Sequence, residues 1–148
     1  MRFRYAFQKI VDLKMNEKTQ AEWMLSEAIG RMKQEESSLV ELEYSKRSLQ
    51  EELQEASTRS ISVSDLLLMQ SYVDYVDTRI QEKHSDIQRA RTVVQSKQDD
   101  LTGKMLQEKV WTKAKEKAYQ RFSFDLMKKE QDGLDEMATN RYKAPSTY

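Results

Sequence analysis

Few residues in this chain have the types and the spacing that metal binding requires. There is no cysteine and only one histidine, His84. A helix brings side chains together at spacings of three or four residues, and the polar neighbours of His84 at that spacing are amides such as Gln88, which are poor metal ligands. The sequence therefore predicts no metal site and no cofactor.

Carboxylates and glycines give no support for acid–base or phosphate chemistry either. Adjacent carboxylates such as Glu51 and Glu52 point in different directions on a helix, so they cannot share a proton. The glycines Gly30, Gly103 and Gly133 are isolated and form no phosphate-binding loop. We therefore expect a protein with no catalytic residues, not an enzyme, that acts by binding.

Two long amphipathic stretches must position the side chains that bind a partner. Alternating steps of four and three residues define a series of seam positions, which are mostly apolar. In the first stretch these are Phe7, Val11, Lys14, Lys18, Ala21, Leu25, Ala28, Met32, Glu35, Leu39, Leu42, Lys46, Leu49, Leu53 and Ala56. In the second they are Leu66, Met69, Val73, Val76, Ile80, Lys83, Ile87, Ala90, Val94, Lys97 and Leu101. A repeat of 3.5 residues indicates that each stretch is half of a left-handed coiled coil.

A hydroxyl-rich segment at residues 57–64 separates the two stretches. Such side chains compete with helical backbone bonds, so the first helix should end there. Ser62 with Asp65 has the spacing of a capping box, and Ser64 is the alternative cap. A short connection favours antiparallel neighbours, which brings Leu42 near Ile80 and Phe7 near Ala114.

Composition agrees with a helical hairpin. The chain has 148 residues, of which 34% are charged, with three glycines and one proline, and this suits long helices better than a globule. We predict an all-α, long antiparallel two-helix coiled-coil hairpin. It forms a single rod over residues 1–140, with arms at about 3–57 and 64–138 and a disordered tail at 141–148. The absence of cysteine, of a membrane span and of a signal peptide predicts a cytoplasmic protein.

The apolar period changes after Leu101. Leu106, Val110, Ala114, Ala118, Phe122 and Leu126 recur every fourth residue, so their line drifts around the helix. One interpretation is a stutter that the supercoil absorbs. The other is an apolar surface for a partner protein, formed by Trp111, Tyr119, Phe122, Phe124 and Met127. Gly103, at the onset of the change, is a candidate flexible joint.

The net charge is zero, but the charges are unevenly distributed. Basic residues predominate in 1–18 and 103–128, which the hairpin places side by side, whereas glutamates predominate in 35–55. Two ends with different potentials suggest two partners. Nucleic acid is not favoured as a partner, because acids interrupt the basic segments and no reading motif is present. The first residues also have the pattern of a membrane-surface helix, a weaker interpretation than the seam, and direct membrane insertion is not expected.

Two blocks carry a family resemblance. The opening MRFRYAFQKIVDLK, residues 1–14, resembles the characteristic start of FliJ, a coiled-coil component of the flagellar protein export apparatus, particularly in its Gram-positive forms. Residues 68–80, LMQSYVDYVDTRI, resemble the aromatic and aliphatic stretch that follows the hairpin loop in that family.

This resemblance implies a stalk protein that links an ATPase to a membrane gate. Proteins similar to FliJ form a hairpin like the central stalk of rotary ATPases, bind the hexameric export ATPase FliI, contact the cytoplasmic domain of the export gate FlhA, and interact with export chaperones. The implied localisation is cytoplasmic and peripheral at the inner face of the cell membrane. By analogy with the stalk, the implied ATPase-binding residues are Arg2, Arg4, Phe7, Lys113, Lys117 and Arg121. The implied gate-binding residues are Tyr44, Tyr72, Val76 and Ile80.

Two alternatives remain open. The seams of two chains could pair into a four-helix bundle, giving a homodimeric coiled-coil scaffold. The chain could also be the related stalk of a virulence-type secretion system, similar to YscO.

Overall fold

The computed structural model describes residues 2–143, which form two α-helices. Helix α1 covers Gln8–Ser57 and helix α2 covers Val63–Lys143, and the described residues contain no strand. The predicted all-α fold class is confirmed. Because no helix within 2–143 is both long and apolar enough, none qualifies as a membrane span.

The chain divides into two compact units, and each contains a part of both helices. Unit 1 comprises the described parts of Met1–Thr19 and Gly103–Tyr148, and unit 2 comprises Gln20–Thr102. In unit 2, Glu35 of α1 contacts Lys83 of α2. Further along α1, Lys46 contacts Asp77, which lies nearer the start of α2, so the helices run antiparallel. In unit 1, Phe3 contacts Tyr119, whereas Lys14 contacts Gln107, and the helices again run antiparallel.

The buried core coincides with the predicted seam positions. Its members are small or aliphatic and all occupy seam positions: Val11, Ala21, Ala28, Ala56, Val73, Val76, Ile80, Ile87 and Leu101. The remaining seam positions are half-buried, apart from Phe7, which is exposed. Alanine at three of the core positions permits close approach of the two helices. The coiled-coil hairpin predicted from the 3.5-residue repeat is therefore confirmed.

Charged residues at seam positions form ion pairs across the helices. Lys83 Nζ lies 2.9 Å from Glu35 Oε2, and both residues are seam positions. Lys46 Nζ lies 2.6 Å from Asp77 Oδ1. Because these side chains are partly exposed, we expect each pair to add little to stability. Their larger effect is on register, since a shifted alignment would leave a charge inside the seam without a partner.

The connection between the helices has the predicted chemistry. Helix α1 ends where Ser57 Oγ and Thr58 Oγ1 each donate to a backbone carbonyl three residues earlier, at 2.7 Å. Helix α2 begins where the Asp65 backbone N–H donates to Ser62 Oγ at 3.2 Å. Ser62, and not Ser64, is therefore the N-cap of α2.

The fourth-residue line of apolar residues after Leu101 is only partly buried. Leu106 and Val110 are 60% and 66% exposed, whereas Ala114, Ala118, Phe122 and Leu126 are half-buried. The seam keeps its alternation of three and four residues through half-buried positions, which are Lys104, Glu108, Trp111, Lys115, Ala118 and Phe122. Charge explains the difference, because Lys104 pairs with Glu17 at 3.8 Å and Glu108 pairs with Lys18 at 4.0 Å.

Element boundaries differ from the prediction at both termini. Helix α1 begins at Gln8, several residues after the predicted start of the arm at residue 3. Helix α2 continues past Gly133 to Lys143, so residues 141–143 of the predicted tail are helical. The rest of that tail, residues 144–148, lies outside the described residues.

Gly103 provides a test of local helix propensity. The residue has no positive φ, and a Cβ built on it meets no atom within 4 Å. Because alanine is favoured over glycine in a helix interior by about 1 kcal/mol, Gly103→Ala should raise the free energy of unfolding by that amount in urea denaturation followed by circular dichroism. Gly30→Ala is the matched control, since its Cβ is equally free of contacts. A gain at Gly30 with a loss at Gly103 would contradict this account of Gly103.

Candidate partner-binding surfaces

The first residues form an extended segment that packs on α2 within unit 1. We call residues 2–7 the N-terminal strap; its first four residues are non-helical and a turn at 6–7 leads into α1. The Phe3 ring lies 5.3 Å from the Tyr119 ring and 5.4 Å from the Phe122 ring, measured between centroids. The Phe7 ring lies 6.1 Å from the Trp111 ring. Edge-to-face and tilted aromatic pairs at these distances are stabilising.

A period of two residues explains the strap. Phe3, Tyr5 and Phe7 alternate with polar or small residues, and the Tyr5 ring lies between the other two, at 6.5 and 5.7 Å. In an extended chain this alternation places the aromatic rings on one side and Arg2 and Arg4 on the other. The 3.5-residue repeat assigns Phe7 to a helical seam and predicts no role for Phe3 and Tyr5. The alternation was the signal that could have identified them.

Three aromatic side chains of α2 contact the strap. Trp111, Tyr119 and Phe122, which the sequence offered as part of an apolar partner surface, pack against it. Trp111 and Phe122 are half-buried there, whereas Tyr119 is 55% exposed. Phe124 and Met127 are exposed, as a partner surface requires.

A basic surface covers the outside of unit 1. We define it by Arg2, Arg4, Lys113, Lys117 and Arg121, all of which are exposed. None of these five takes part in an ion pair among the described residues, whereas Lys14, Lys18 and Lys104 are paired with acids inside the unit. Phe7 is exposed beside them. The structure thus brings the six residues proposed for ATPase binding into one unit.

Unit 2 carries an apolar groove close to the interhelical loop. We call it the tyrosine groove; it has a volume of about 510 Å³ and is lined by Leu49, Glu52, Leu68, Met69, Ser71, Tyr72 and Tyr75. The rings of Tyr72 and Tyr75 lie 6.2 Å apart. Leu68, Tyr72 and Tyr75 are all exposed, although they are large and partly apolar. Exposed aromatic side chains in a groove are typical of protein-binding sites.

The four residues proposed for gate binding fall into two classes. Tyr44 and Tyr72 are 71% and 55% exposed, so both can reach a partner. Val76 and Ile80 are only 5% and 8% exposed, because they belong to the seam. Among the described residues, Tyr44 does not line the tyrosine groove. Neither of these two residues lines the tyrosine groove, and a partner cannot contact them while the hairpin is closed.

The surroundings of the tyrosine groove are acidic. Glu41, Glu43, Glu51, Glu52 and Glu55 are exposed on α1, and Asp65 and Asp74 are exposed on α2. Glu35 and Glu36 are partly neutralised by Lys83 and Arg91. In residues 2–141, no three His, Cys, Asp or Glu side chains are grouped closely enough to hold a metal ion. The exposed carboxylates contribute a negative potential to this part of unit 2.

The strap contacts predict a measurable local stability. Phe3→Ala removes the ring that contacts both Tyr119 and Phe122, and we expect a loss of about 1–2 kcal/mol in the free energy of unfolding of unit 1. Amide hydrogen exchange at residues 8–12 and 111–122 is the direct measurement, with thermal unfolding beside it. Tyr44→Ala is the control, because that aromatic ring is exposed in unit 2. Equal protection in the Phe3→Ala variant and the parent chain would show that the strap is not bound.

Comparison with known proteins gives one family and one fold. The family model described as "Flagellar FliJ protein" matches residues 3–146. The Flagellar FliJ protein of Bacillus subtilis (strain 168) is 26% identical over 143 residues, which cover 96% of this chain and 97% of that protein. Among solved structures, a Chlamydia trachomatis protein described as a YscO homolog aligns with a TM-score of 0.62 over 98% of both chains. Its 16% identity supports likeness of fold alone.

The family match confirms the resemblance seen in residues 1–14 and 68–80, because it extends over nearly the whole chain. The aromatic residues of the strap and of the tyrosine groove both lie within the matched residues. The chain therefore belongs to the flagellar FliJ protein family.

Proposed function

We propose that this protein is a component of flagellar protein export that binds the export ATPase through the basic surface and contacts the export gate through the tyrosine groove. It performs no chemistry and acts by holding two partners. Membership of the FliJ family supports a role within the export apparatus. The observation that carries the proposal is the separation of two unlike surfaces, one basic in unit 1 and one aromatic and acidic in unit 2.

The ATPase contact is proposed for Arg2, Arg4, Phe7, Lys113, Lys117 and Arg121. The basic members of this set are exposed and take part in no ion pair among the described residues, so they are available to carboxylates of another protein. An antiparallel helix pair with exposed arginines and lysines suits an acidic surface on the ATPase ring. Arginine and lysine contribute most to the rate and the orientation of such an encounter.

The gate contact is proposed for Tyr72 and Tyr44, with Val76 and Ile80 holding the groove in place. Tyrosine gives a large contact area at a small cost in side-chain entropy, and it is enriched at binding hot spots. The acidic side chains around the groove favour a gate surface that carries lysine or arginine beside an apolar pocket. Attachment to the gate would place the protein at the inner face of the cell membrane.

A general role with export chaperones is part of the same proposal. The exposed apolar side chains outside the tyrosine groove, among them Trp23 and Val40 in unit 2, provide area for weak contacts with escort proteins. Such contacts are consistent with transient binding, because scattered apolar residues bury less area than a stable interface needs.

A bridging assay tests the two contacts together. The cytoplasmic domain of the export gate is immobilised, and capture of the export ATPase is measured with and without this protein by surface plasmon resonance. The proposal predicts ATPase capture only when the protein is present. A charge-reversed basic surface should keep gate binding and lose ATPase capture, and Tyr72→Ala should lose both. Capture of the ATPase that is independent of this protein would contradict the bridging role.

A further inference from the structure

The side of α2 that faces away from α1 and the strap carries a regular row of residues in unit 1. We call it the outer row of α2; all its members are exposed, and they are Leu106, Val110, Lys113, Lys117, Arg121, Phe124 and Lys128. At about 100° per residue they fall within a sector of about 80°. No acidic residue between 106 and 128 falls in that sector, and the nearest, Asp125, lies about 40° outside it. The row is therefore uniformly basic and apolar.

Helix α1 carries a second row in unit 2, on the side opposite its seam. We call it the outer row of α1; it also spans about 80°, and its members are Val40, Tyr44, Ser48, Glu51 and Glu55. Val40 and Tyr44 are 65% and 71% exposed, and the two glutamates are exposed as well. Glu41 and Glu52 lie along one edge and Arg47 along the other. This row is thus apolar at its start and acidic at its end.

The two rows have the spacing and the exposure of a helix–helix contact. Both advance in steps of three and four residues, the spacing by which one face of a helix follows a second helix. The ion pairs among the described residues include no charged member of either row. Because both rows are exposed in the chain itself, a contact between them requires a second copy.

We propose that the outer row of α2 in one copy binds the outer row of α1 in a second copy, with the two helices parallel. A single offset then pairs apolar residues with apolar residues and glutamates with bases. The level pairs are Leu106 with Val40, Val110 with Tyr44, Lys117 with Glu51, and Arg121 with Glu55. An antiparallel alignment that also pairs both glutamates with bases places Val40 opposite Lys128, so it retains fewer apolar pairs.

This contact joins two different surfaces, so it does not close on itself. Each copy in a dimer still has one unused row, and association therefore continues beyond two copies. The contact covers Lys113, Lys117 and Arg121, which belong to the basic surface. Self-association should therefore compete with binding of the ATPase. That competition rests on the proposed function, whereas the contact between copies does not depend on it.

Sedimentation equilibrium of the full chain tests the contact without a partner protein. At about 20 mM salt and about 10–500 µM, a range in which a small interface associates, the weight-average mass should rise from 17.5 kDa past twice that value. Salt at about 500 mM should weaken association about tenfold, because it screens exposed charges. A mass of 17.5 kDa at every concentration would overturn the proposal, and so would a rise that stops at the dimer.

A mixing experiment identifies the two rows. Lys117→Glu with Arg121→Glu should weaken self-association about tenfold, and Glu51→Lys with Glu55→Lys should do the same. Mixing the two variants should restore association, since each then meets the intact row of the other. A mixture that associates as weakly as its components would contradict the pairing of these rows.

A control of equal charge separates the contact from the net charge. Lys9→Glu with Arg89→Glu changes the net charge as much as Lys117→Glu with Arg121→Glu does, but both residues are exposed outside the two rows. This variant should associate like the parent chain. A loss as large as that of the row variants would overturn the assignment to the rows.

Two matched serine variants test the direction of the helices. Val110 and Phe124 are apolar members of the outer row of α2 and are 66% and 67% exposed. In the parallel alignment Val110 contacts Tyr44, whereas Phe124 falls level with Thr58, past the end of α1. Val110→Ser should therefore weaken self-association about fivefold, and Phe124→Ser should leave it unchanged. The reverse order of effects would indicate antiparallel helices and overturn the alignment.

Discussion

Reversing four charges of the basic surface should lower the affinity for the export ATPase about 100-fold. The variant combines Arg2→Glu, Arg4→Glu, Lys113→Glu and Lys117→Glu. Each exposed ion pair is worth about 0.2–1 kcal/mol, and reversal also adds repulsion, so four positions together reach about 3 kcal/mol. Fluorescence anisotropy of labelled protein titrated with the ATPase measures the affinity directly.

The fold should survive this change. All four side chains are exposed, and they belong to none of the ion pairs found among the described residues. Helix content by circular dichroism should therefore equal that of the parent chain. The matched control reverses Lys33, Arg47, Arg59 and Arg89, which are exposed in unit 2, and alters the net charge by the same amount. That control should keep its affinity for the ATPase.

Salt provides a second readout for the same contact. Raising the ionic strength should weaken binding of the parent chain and have little effect on the residual binding of the reversed variant, because salt screens exposed charges. Equal affinity of the parent and the reversed variant at low salt would exclude the basic surface as the ATPase contact.

Removing the two exposed tyrosines should lower gate binding about 30-fold and impair swimming. Tyr72→Ala removes one of the two neighbouring tyrosine rings of the tyrosine groove, and Tyr44→Ala removes a second exposed ring from unit 2. Truncating an aromatic hot spot typically costs about 2 kcal/mol or more. Isothermal titration with the cytoplasmic domain of the gate, and motility in soft agar, are the measurements.

Single variants separate the two tyrosines. If the groove is the main contact, Tyr72→Ala alone should account for most of the loss, since Tyr44 lies outside the groove lining. Trp23→Ala is the control for the gate titration alone, because it removes an exposed aromatic side chain from the same unit outside the groove. Normal gate binding by the double variant would refute the assignment of both tyrosines.

Val76 and Ile80 are expected to behave differently from the tyrosines. Both are buried in the seam, so Val76→Asp should reduce helix content and thermal stability together with gate binding. Substitution of an exposed residue such as Tyr72 should lower gate binding and leave helix content and thermal stability unchanged. The comparison of helix content between Val76→Asp and Tyr72→Ala therefore distinguishes a residue that supports the groove from one that contacts the gate.

The seam could be predicted from the sequence because the coiled coil is a local and periodic structure. An apolar residue every 3.5 positions fixes which side of each helix is buried, and the nine buried side chains found among the described residues all fall on that line. The cap at Ser62 was also predictable, since the capping bond joins residues only three apart. Both features depend on neighbours in sequence.

The first turns of the seam beyond Leu101 were missed because charged residues, not apolar ones, occupy them. Lys104 and Glu108 occupy seam positions opposite Glu17 and Lys18, while the apolar residues Leu106 and Val110 point outward. Apolar periodicity alone therefore assigns Leu106 and Val110, and not the charged residues, to the seam. Lys14 and Lys18 on α1 were a hint, because charged seam residues need polar partners on the facing helix.

Residues for the candidate surfaces could be proposed from the sequence, but the arrangement of those surfaces could not. Tyr72, Tyr44 and the basic residues could be named from the family resemblance. The strap could not be predicted in this way, because Phe3 contacts Tyr119, which lies more than a hundred residues away in the sequence. The tyrosine groove likewise depends on side chains of both helices, Leu49 from α1 and Leu68 from α2.

Stimulation of the export ATPase tests the central claim most directly. ATP hydrolysis and ring assembly by the cognate ATPase are measured with increasing amounts of this protein, using a phosphate-release assay and light scattering on the same samples. The account predicts faster hydrolysis together with a hexamer-sized complex, and no hydrolysis by this protein alone. Unchanged hydrolysis and unchanged ATPase mass at saturating protein would contradict the proposal that this FliJ family member acts on the ATPase ring.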